Sequence, residues 1–338
     1  MNYEIIGIGI LWLFLYGYLL AASVDFGAGF FHFYNKATKK SAEIDQLIQR
    51  YLSPVWEVTN VFLVFFFIGL VGFFPATAYY FGTVLLIPVS ITIVLLAVRG
   101  SYYAFNTYGS KDNLLYSFFY GTAGLFIPAS LTVILAISEG GFLQFSNGTI
   151  ELLYHDLLTS WLPWSLVSLA MVSVLFISSS FLAFYSWKAA EEKAYRLFRK
   201  YTLFLAFPVM LASLFVVFAI SRHSPVRFQV LADLSWIFMI SFFFFCGVVF
   251  LTWKRRKPGL AFVCVMTQYF TAWFGYGASH LPYLLYPHLT IYDGVVNDSM
   301  AFALLLAFAG GMVLLIPSLL LLMSLFLFDT EYVQGKKQ

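Results

Sequence analysis

Three ionisable residues lie within or at the ends of strongly apolar segments, where a charge is costly and by default indicates a functional site. Asp25 lies near the end of the first segment, Glu57 near the start of the second, and Arg99 at the end of the third. If these segments are consecutive antiparallel helices, both acids lie roughly 5 to 8 Å from the same membrane boundary. We therefore predict a cluster in which Arg99 balances the charge of Asp25 and Glu57.

The residues around Asp25 indicate that it faces protein and not lipid. Small residues recur at four-residue intervals on either side of it, so they share its helix face: Gly17, Ala21 and Gly29. A stripe of small residues lets a neighbouring helix approach closely within a membrane. We expect Asp25 to be buried against another helix.

The second segment carries a polar row of its own. Ser53, Glu57 and Asn60 are spaced to share one helix face, and a proton could move along such a row with the help of water. The alternative is that the acids only anchor helix ends or pair to fix packing, since acids near a membrane boundary cost less than acids at its centre. The residues alone leave both interpretations open.

Metal and haem ligands follow no recognisable pattern in this chain. Cys246 and Cys264 lie in apolar segments without the spacing of a metal site, so we predict none. The histidines do not pair at matched depth in two segments: His32 follows the first segment, and the others lie in or beside connections on the opposite side, at His155, His223, His280 and His288. We expect no haem held wholly within this chain; a haem at an interface with a partner remains open.

Composition places the chain in a membrane, since 61% of its 338 residues are hydrophobic and only 10% are charged. An apolar run needs about 20 residues to cross a bilayer as a helix, and lipid offers no partner for unpaired backbone groups. We therefore predict an all-α polytopic membrane protein with nine transmembrane helices. The predicted spans are residues 5–30, 54–74, 77–98, 114–138, 161–187, 201–220, 230–251, 259–280 and 300–327.

Basic residues predict the orientation. The chain has 19 Lys and Arg residues, and 17 of them lie in the C-terminal tail or in the connections that follow spans one, three, five and seven. The two exceptions are Arg222 and Arg227. Because cytoplasmic loops are enriched in Lys and Arg, the N-terminus is predicted outside and the C-terminus in the cytoplasm. The basic run 254–257 is expected to contact anionic lipid headgroups, and the net charge of +3 gives no reason to expect a nucleic-acid partner.

A long connection divides the chain into two groups of helices. We predict two four-helix bundles and one peripheral helix. The predicted units are a first bundle at 1–138, an extracytoplasmic loop at 139–160, a second bundle at 161–280, a second extracytoplasmic loop at 281–299, and a ninth helix with a cytoplasmic tail at 300–338.

Several short motifs, in order along nearly the whole chain, resemble subunit II of the cytochrome bd quinol oxidases. They are an aspartate in a glycine-rich helix end, a Trp followed by an acid, an Arg-Gly pair, and two short segments near the C-terminus: residues 23–29, 54–63, 99–105, 282–284 and 289–291. The chain differs from the family at three places. It has Ser23 where the family commonly has Gly, Glu57 where Asp is common, and Thr59-Asn60 where Asn-Gln is common. These changes keep an acid and an amide in place.

The resemblance implies a haem-free subunit in the bacterial cytoplasmic membrane. In that family its partner is a haem-bearing subunit I with haem b and haem d, and a small single-span subunit sometimes joins them. The complex oxidises quinol and reduces dioxygen to water with protons from the cytoplasm. The resemblance implies that Asp25 and Glu57, with Ser53 and Asn60, line a proton inlet and that Arg99 balances their charge.

Two other functions are compatible with many spans and buried acids. A proton-coupled transporter usually places charges and broken helices at the midplane in matched repeats, which this chain does not show. A purely structural subunit would only brace and shield the catalytic partner. We rank the oxidase subunit with a proton path above the brace, and both above the transporter.

Overall fold

The computed structural model describes residues 3–38, 42–108, 114–146, 149–293, 296–329 and 334. At some positions inside helices and strands only the backbone is described, and Ser53 and Glu57 are two of these. Their side chains therefore lie outside the described part of the chain.

The described chain is almost entirely helical, as expected where lipid cannot satisfy exposed backbone groups. The helices are α1 (Tyr3–Ala37), α2 (Ala42–Phe73), α3 (Pro75–Val84), α4 (Leu86–Tyr108), α5 (Leu114–Ser138), α6 (Tyr154–Thr159), α7 (Trp161–Lys188), α8 (Glu192–His223), α9 (Pro225–Asp233), α10 (Ser235–Trp253), α11 (Pro258–His280) and α12 (Asp298–Leu322). A π-helical turn, Met323–Phe328, continues α12. Two antiparallel hairpins complete the elements: β1 (Leu143–Ser146) with β2 (Thr149–Leu152), and β3 (Tyr283–Leu285) with β4 (Leu289–Thr290).

Six helices in the described ranges are long and apolar enough to cross a membrane. They are α1, α5, α7, α8, α10 and α12 with the first residues of its π turn. A bent pair, Thr59–Phe73 with Pro75–Val84, raises the number to seven if it counts as one span. The chain is thus an all-α, multi-pass membrane protein. Each of the nine predicted spans overlaps a helix, but the criterion of length and apolarity accounts for only six or seven of them.

The first two helices extend beyond the predicted spans. Helix α1 continues to Ala37 instead of ending near 30, and α2 begins at Ala42 instead of 54. The prediction ended each span at its first polar residues. In the structure the helices continue, because polar side chains near the end of α1 and the start of α2 hydrogen-bond to each other. Asn35 Nδ2 on α1, for example, donates to Asp45 Oδ1 on α2 at 2.8 Å.

The predicted third span is divided. At Phe74 the chain turns by 118° between the second half of α2 and α3, which begins at Pro75 as a helix N-terminus favours. The helix is interrupted again at Leu85, so the predicted span 77–98 consists of α3 and the first part of α4.

Helix α1 is the central packing element and contacts α2, α5, α7 and α11. Glycine makes the contact with α7 possible, since a Cβ at Gly27 would overlap Ser178. Ser178 Oγ in turn donates to the Val24 carbonyl at 3.0 Å. Against α11, the indoles of Trp12 and Trp273 stack with centroids 4.4 Å apart, and each ring N–H bonds to the other residue's carbonyl.

The two hairpins contribute to the same apolar cluster at one end of the helices. The Tyr286 N–H donates to the Ser138 carbonyl at 3.0 Å, joining the second hairpin to the end of α5. Beneath them lies an apolar cluster with buried side chains from both hairpins and from α8: Phe142, Leu152, Leu285, Leu289, Ala219 and Ile220. The long connections predicted at 139–160 and 281–299 are therefore ordered and packed in their described parts.

Candidate functional site

Asp25 lies on α1 with its side chain 1% exposed. The glycines beside it allow this burial, because they let α5 approach α1 closely. A Cβ at Gly124 of α5 would lie 2.7 Å from the Phe26 carbonyl oxygen, and one at Gly29 would lie 2.6 Å from the Tyr120 ring. Real Cβ atoms do not approach so closely, so only glycine permits this helix contact.

Arg99 reaches from α4 into the space between α1 and α5, and its side chain is also 1% exposed. Its Nη2 lies 3.0 Å from Asp25 Oδ1 and donates to the Asp25 carbonyl at 2.8 Å. Its Nε donates to Asp25 Oδ2 at 3.3 Å. The predicted pairing of Asp25 with Arg99 is therefore present in the structure.

Tyr120 on α5 completes the environment of the guanidinium. The Tyr120 hydroxyl accepts from Arg99 Nη2 at 2.9 Å, and its carbonyl accepts from Nη1 at 3.1 Å. The guanidinium carbon also lies 3.9 Å from the centre of the Tyr120 ring and 4.8 Å from that of Phe26, within range of a cation–π interaction. A buried cation needs such compensation, and here two helices supply it.

The other predicted site residues lie on one helix. Because α2 is continuous through Ser53, Glu57 and Asn60, the three keep the spacing of a common face. Asn60 is half-buried, and Thr59 beside it is buried. The predicted contact of Glu57 with Asp25 and Arg99 involves a side chain that lies outside the described part of the chain.

The pair lies deeper within its helices than predicted. Asp25 is about 18 Å from the end of α1 at Ala37, and Arg99 is about 14 Å from the end of α4 at Tyr108, at 1.5 Å per residue. The prediction placed both at the ends of their helices, because it ended each helix with its apolar run.

A second buried ionic cluster lies at the other end of α5 and was not predicted. Glu139 follows α5 directly and is 2% exposed, and Arg227 Nε on α9 donates to its Oε2 at 2.9 Å. Tyr276 donates to Glu139 Oε1 at 2.7 Å, and His280 Nδ1 lies 2.7 Å from Arg227 Nη2 and 3.5 Å from Glu139 Oε1. Arg227 also bonds the Ser279 carbonyl.

Burial raises the pKa of Glu139, but hydrogen bonds and charges from His280 and Arg227 outweigh it and lower the pKa to about 2. The cluster therefore holds an ionised carboxylate that ties α5, α9 and α11 together. One sequence feature pointed to it: Arg227 is one of only two basic residues outside the predicted cytoplasmic segments.

Three histidines outside the second cluster have different environments. His32 contacts Asp45 and Tyr102, and His223 bonds the Gly140 carbonyl and stacks on Phe142. His155 is 88% exposed. Within the described residues, no group of three or more His, Cys, Asp or Glu side chains is arranged to hold a metal ion.

The fold and its two clusters define a class: a multi-pass, all-α membrane protein with a buried ion pair near each end of α5. The family model for cytochrome bd terminal oxidase subunit II matches residues 3–326. The chain belongs to this family, and is therefore subunit II of a cytochrome bd oxidase, part of a quinol oxidase complex with a partner subunit.

Two relatives support the assignment. A Bacillus subtilis (strain 168) protein named putative cytochrome bd menaquinol oxidase subunit II is 34% identical, over 98% of each chain. A chain of the bd oxidase structure from Geobacillus thermodenitrificans is 53% identical and aligns with a TM-score of 0.85, over 97% of this chain and 100% of that chain.

Proposed function

We propose that this chain is the haem-free subunit of its oxidase and supplies protons for the reduction of dioxygen to water. Asp25 and Glu57 are the proton-carrying groups, Ser53 and Asn60 extend the row, and Arg99 balances the charge. Reducing dioxygen to water consumes one proton for each electron, so a buried reaction centre needs a polar route through the apolar protein.

The observation that carries the proposal is the state of Asp25. Its Oδ1 is buried and accepts no hydrogen bond of good geometry among the described residues, although Arg99 Nη2 lies 3.0 Å away. A buried acceptor without such a bond costs about 1 to 3 kcal/mol, and one explanation is a catalytic role or a water molecule at that atom. Oδ1 is thus a place where a water or a proton can be held.

The surrounding groups suit transient protonation. Arg99 stabilises the ionised carboxylate, and the Tyr120 hydroxyl both accepts a bond from Arg99 and hydrogen-bonds the Asp25 side chain. Protonating Asp25 weakens its attraction to Arg99, but Tyr120 and the ring of Phe26 continue to compensate the guanidinium. The proton can therefore arrive and leave without stranding an unsolvated cation.

The rival function is a brace, and one observation favours it. Arg99 makes hydrogen bonds to both α1 and α5, which is what a purely structural ion pair would do. In that case Asp25 only joins α1 to α4 and never changes its protonation state.

The test compares Asp25→Asn and Glu57→Gln in the assembled oxidase. If the acids carry protons, oxygen consumption slows in both variants while the haem absorption spectrum is retained. Glu192→Gln is the control, because Glu192 is 60% exposed and forms its salt bridge with Arg196, one helical turn away on the same helix. Normal oxygen consumption in both acid variants, with normal haem content, would eliminate the proton path and leave the brace.

The remaining features of the proposal concern topology and partners. We propose nine spans in two four-helix bundles plus a peripheral helix, with the N-terminus outside and the C-terminus in the cytoplasm of a bacterium. The partner is a haem-bearing subunit I with haem b and haem d, and a small single-span subunit joins them. The Bacillus subtilis relative's name suggests menaquinol as the quinol. Purification through a tag on this chain, with an absorption spectrum and identification of the copurified subunits, tests the partners.

A further inference from the structure

A second set of polar side chains connects the Asp25 and Arg99 pair to the surface. His32 on α1 is almost fully buried, with 2% of its side chain exposed, and it contacts polar groups on two other helices. Its Nδ1 lies 3.4 Å from Asp45 Oδ1 on α2, and its Nε2 lies 3.2 Å from the Tyr102 hydroxyl on α4. The imidazole is therefore placed between an acid and a phenol.

The exposure of these groups decreases inward. The Asp45 side chain is 21% exposed, so it reaches the surface, whereas His32 is 2% exposed. Asn35 donates to Asp45 Oδ1 at 2.8 Å and so helps to hold the carboxylate toward His32. Solvent protons can reach Asp45 directly and His32 only through a neighbouring group.

The inner end of this set reaches the ion pair. The ring of Tyr102 stacks on that of Tyr120 with centroids 4.2 Å apart. Tyr120 in turn accepts a hydrogen bond from Arg99 at 2.9 Å, and Arg99 contacts Asp25. Asp45, His32, Tyr102 and Tyr120 thus form a continuous series of contacts from the surface to Asp25.

We infer that Asp45, His32 and Tyr102 form the entrance of the proton route, with His32 as the relay between surface and interior. This inference rests on the proposed function, since it extends the route that ends at Asp25. It adds residues of α1 and α4 to the row that the sequence indicated on α2.

The transfer follows from the two nitrogens of imidazole. A proton from Asp45 binds Nδ1, and the proton on Nε2 leaves to the Tyr102 oxygen, so the ring is neutral before and after the step. Tyr102 passes its own hydroxyl proton to a water, which gives one proton to the Asp25 carboxylate, and a flip of the imidazole that exchanges the positions of its two nitrogens resets the relay. Each proton gained at one atom is matched by one lost at the next.

A tie between helices is the competing explanation for the same contacts, and conservative variants separate the two. His32→Gln keeps a side chain that can hydrogen-bond to Tyr102 but cannot relay a proton at neutral pH. Asp45→Asn removes the proton-carrying group at a partly exposed position, where we expect the chain to fold, and Asp45→Glu retains it. His155→Gln is the control, since His155 is 88% exposed in another connection.

The experiment uses the assembled oxidase and follows two reactions. We expect His32→Gln and Asp45→Asn to slow oxygen consumption at least about tenfold, with Asp45→Glu close to wild type. Reduction of the haems by quinol without oxygen should be unchanged, which a misassembled subunit would not allow.

Two outcomes distinguish the failure of this inference from the failure of the proposed function. If Asp25→Asn slows oxygen consumption but His32→Gln and Asp45→Asn do not, the entrance lies elsewhere and the proposed function stands. If none of the three variants is slower, both ideas fail. If the His32 variant does not assemble, the comparison of Asp45→Asn with Asp45→Glu decides alone.

Discussion

Arg99 Nη2 lies 3.0 Å from Asp25 Oδ1, and both side chains are 1% exposed. The two residues are 74 positions apart in the chain and lie on different helices. A buried pair of this kind is weak evidence for stability, because removing two charges from water costs several kcal/mol each.

Removing one charge of the pair should be more harmful than removing both. Arg99→Met leaves Asp25 buried without a counter-charge, and we expect a loss of about 3 to 5 kcal/mol in stability. The double variant Asp25→Leu with Arg99→Met should recover most of it, since apolar replacements of buried pairs are often neutral. Thermal denaturation of the purified oxidase, followed by haem absorbance, measures the stability.

The same double variant tests function. We expect its oxygen consumption to remain slow even where its stability recovers, because no proton-carrying group is left at position 25. A double variant that is both stable and fully active would contradict a role for Asp25 in proton transfer.

Close approach of α1 and α5 depends on glycine. Gly124→Ala would place a Cβ 2.7 Å from the Phe26 carbonyl oxygen and 3.0 Å from Arg99 Nη1, so the helices must separate. We expect a loss of about 1 to 3 kcal/mol from overpacking, together with slower oxygen consumption. Gly9→Ala on α1 is the control, since its Cβ meets nothing within 4 Å and alanine favours the helix. Equal melting temperatures for the two variants would be inconsistent with this account.

The second cluster should contribute to stability and not to turnover. Arg227→Met leaves Glu139 buried and ionised, in contact with Tyr276 and His280 but without its arginine, so we expect a loss of about 3 to 5 kcal/mol. Glu192→Gln, at an exposed pair, should change stability by less than about 0.5 kcal/mol. Denaturation of both variants under identical conditions provides the comparison, and an undiminished melting temperature in Arg227→Met would count against the cluster.

Acid should destabilise the protein partly through Glu139. Its pKa is about 2 in the folded protein, below the ordinary value of 4.5. A lowered pKa gives stability that is fully present above 4.5 and is lost as the pH falls toward 2, on the order of 3 kcal/mol in all. Melting temperatures between pH 6 and pH 3 should therefore fall more steeply in wild type than in Glu139→Gln. Parallel curves would show that Glu139 is not the responsible group.

The sequence by itself determined the class of fold and half of the candidate site. Apolar segments of sufficient length, in a solvent that cannot satisfy backbone groups, have to be helices, and each predicted span overlaps one. A charge within such a segment needs a partner, so Asp25 and Arg99 were predictable as a pair. The stripe of glycine and alanine beside Asp25 likewise predicted its burial.

Tertiary structure decided how deep Asp25 and Arg99 lie in their helices, where the helices end, and which other polar side chains pair. Helices α1 and α2 continue past their apolar runs because Asn35 and Asp45 hydrogen-bond across them, a contact that neither segment reveals alone. The pairs of Arg227 with Glu139 and of His32 with Tyr102 join residues 88 and 70 positions apart. Such contacts depend on which helices become neighbours, and packing sets those neighbours, whereas apolar length only establishes that each segment is a helix.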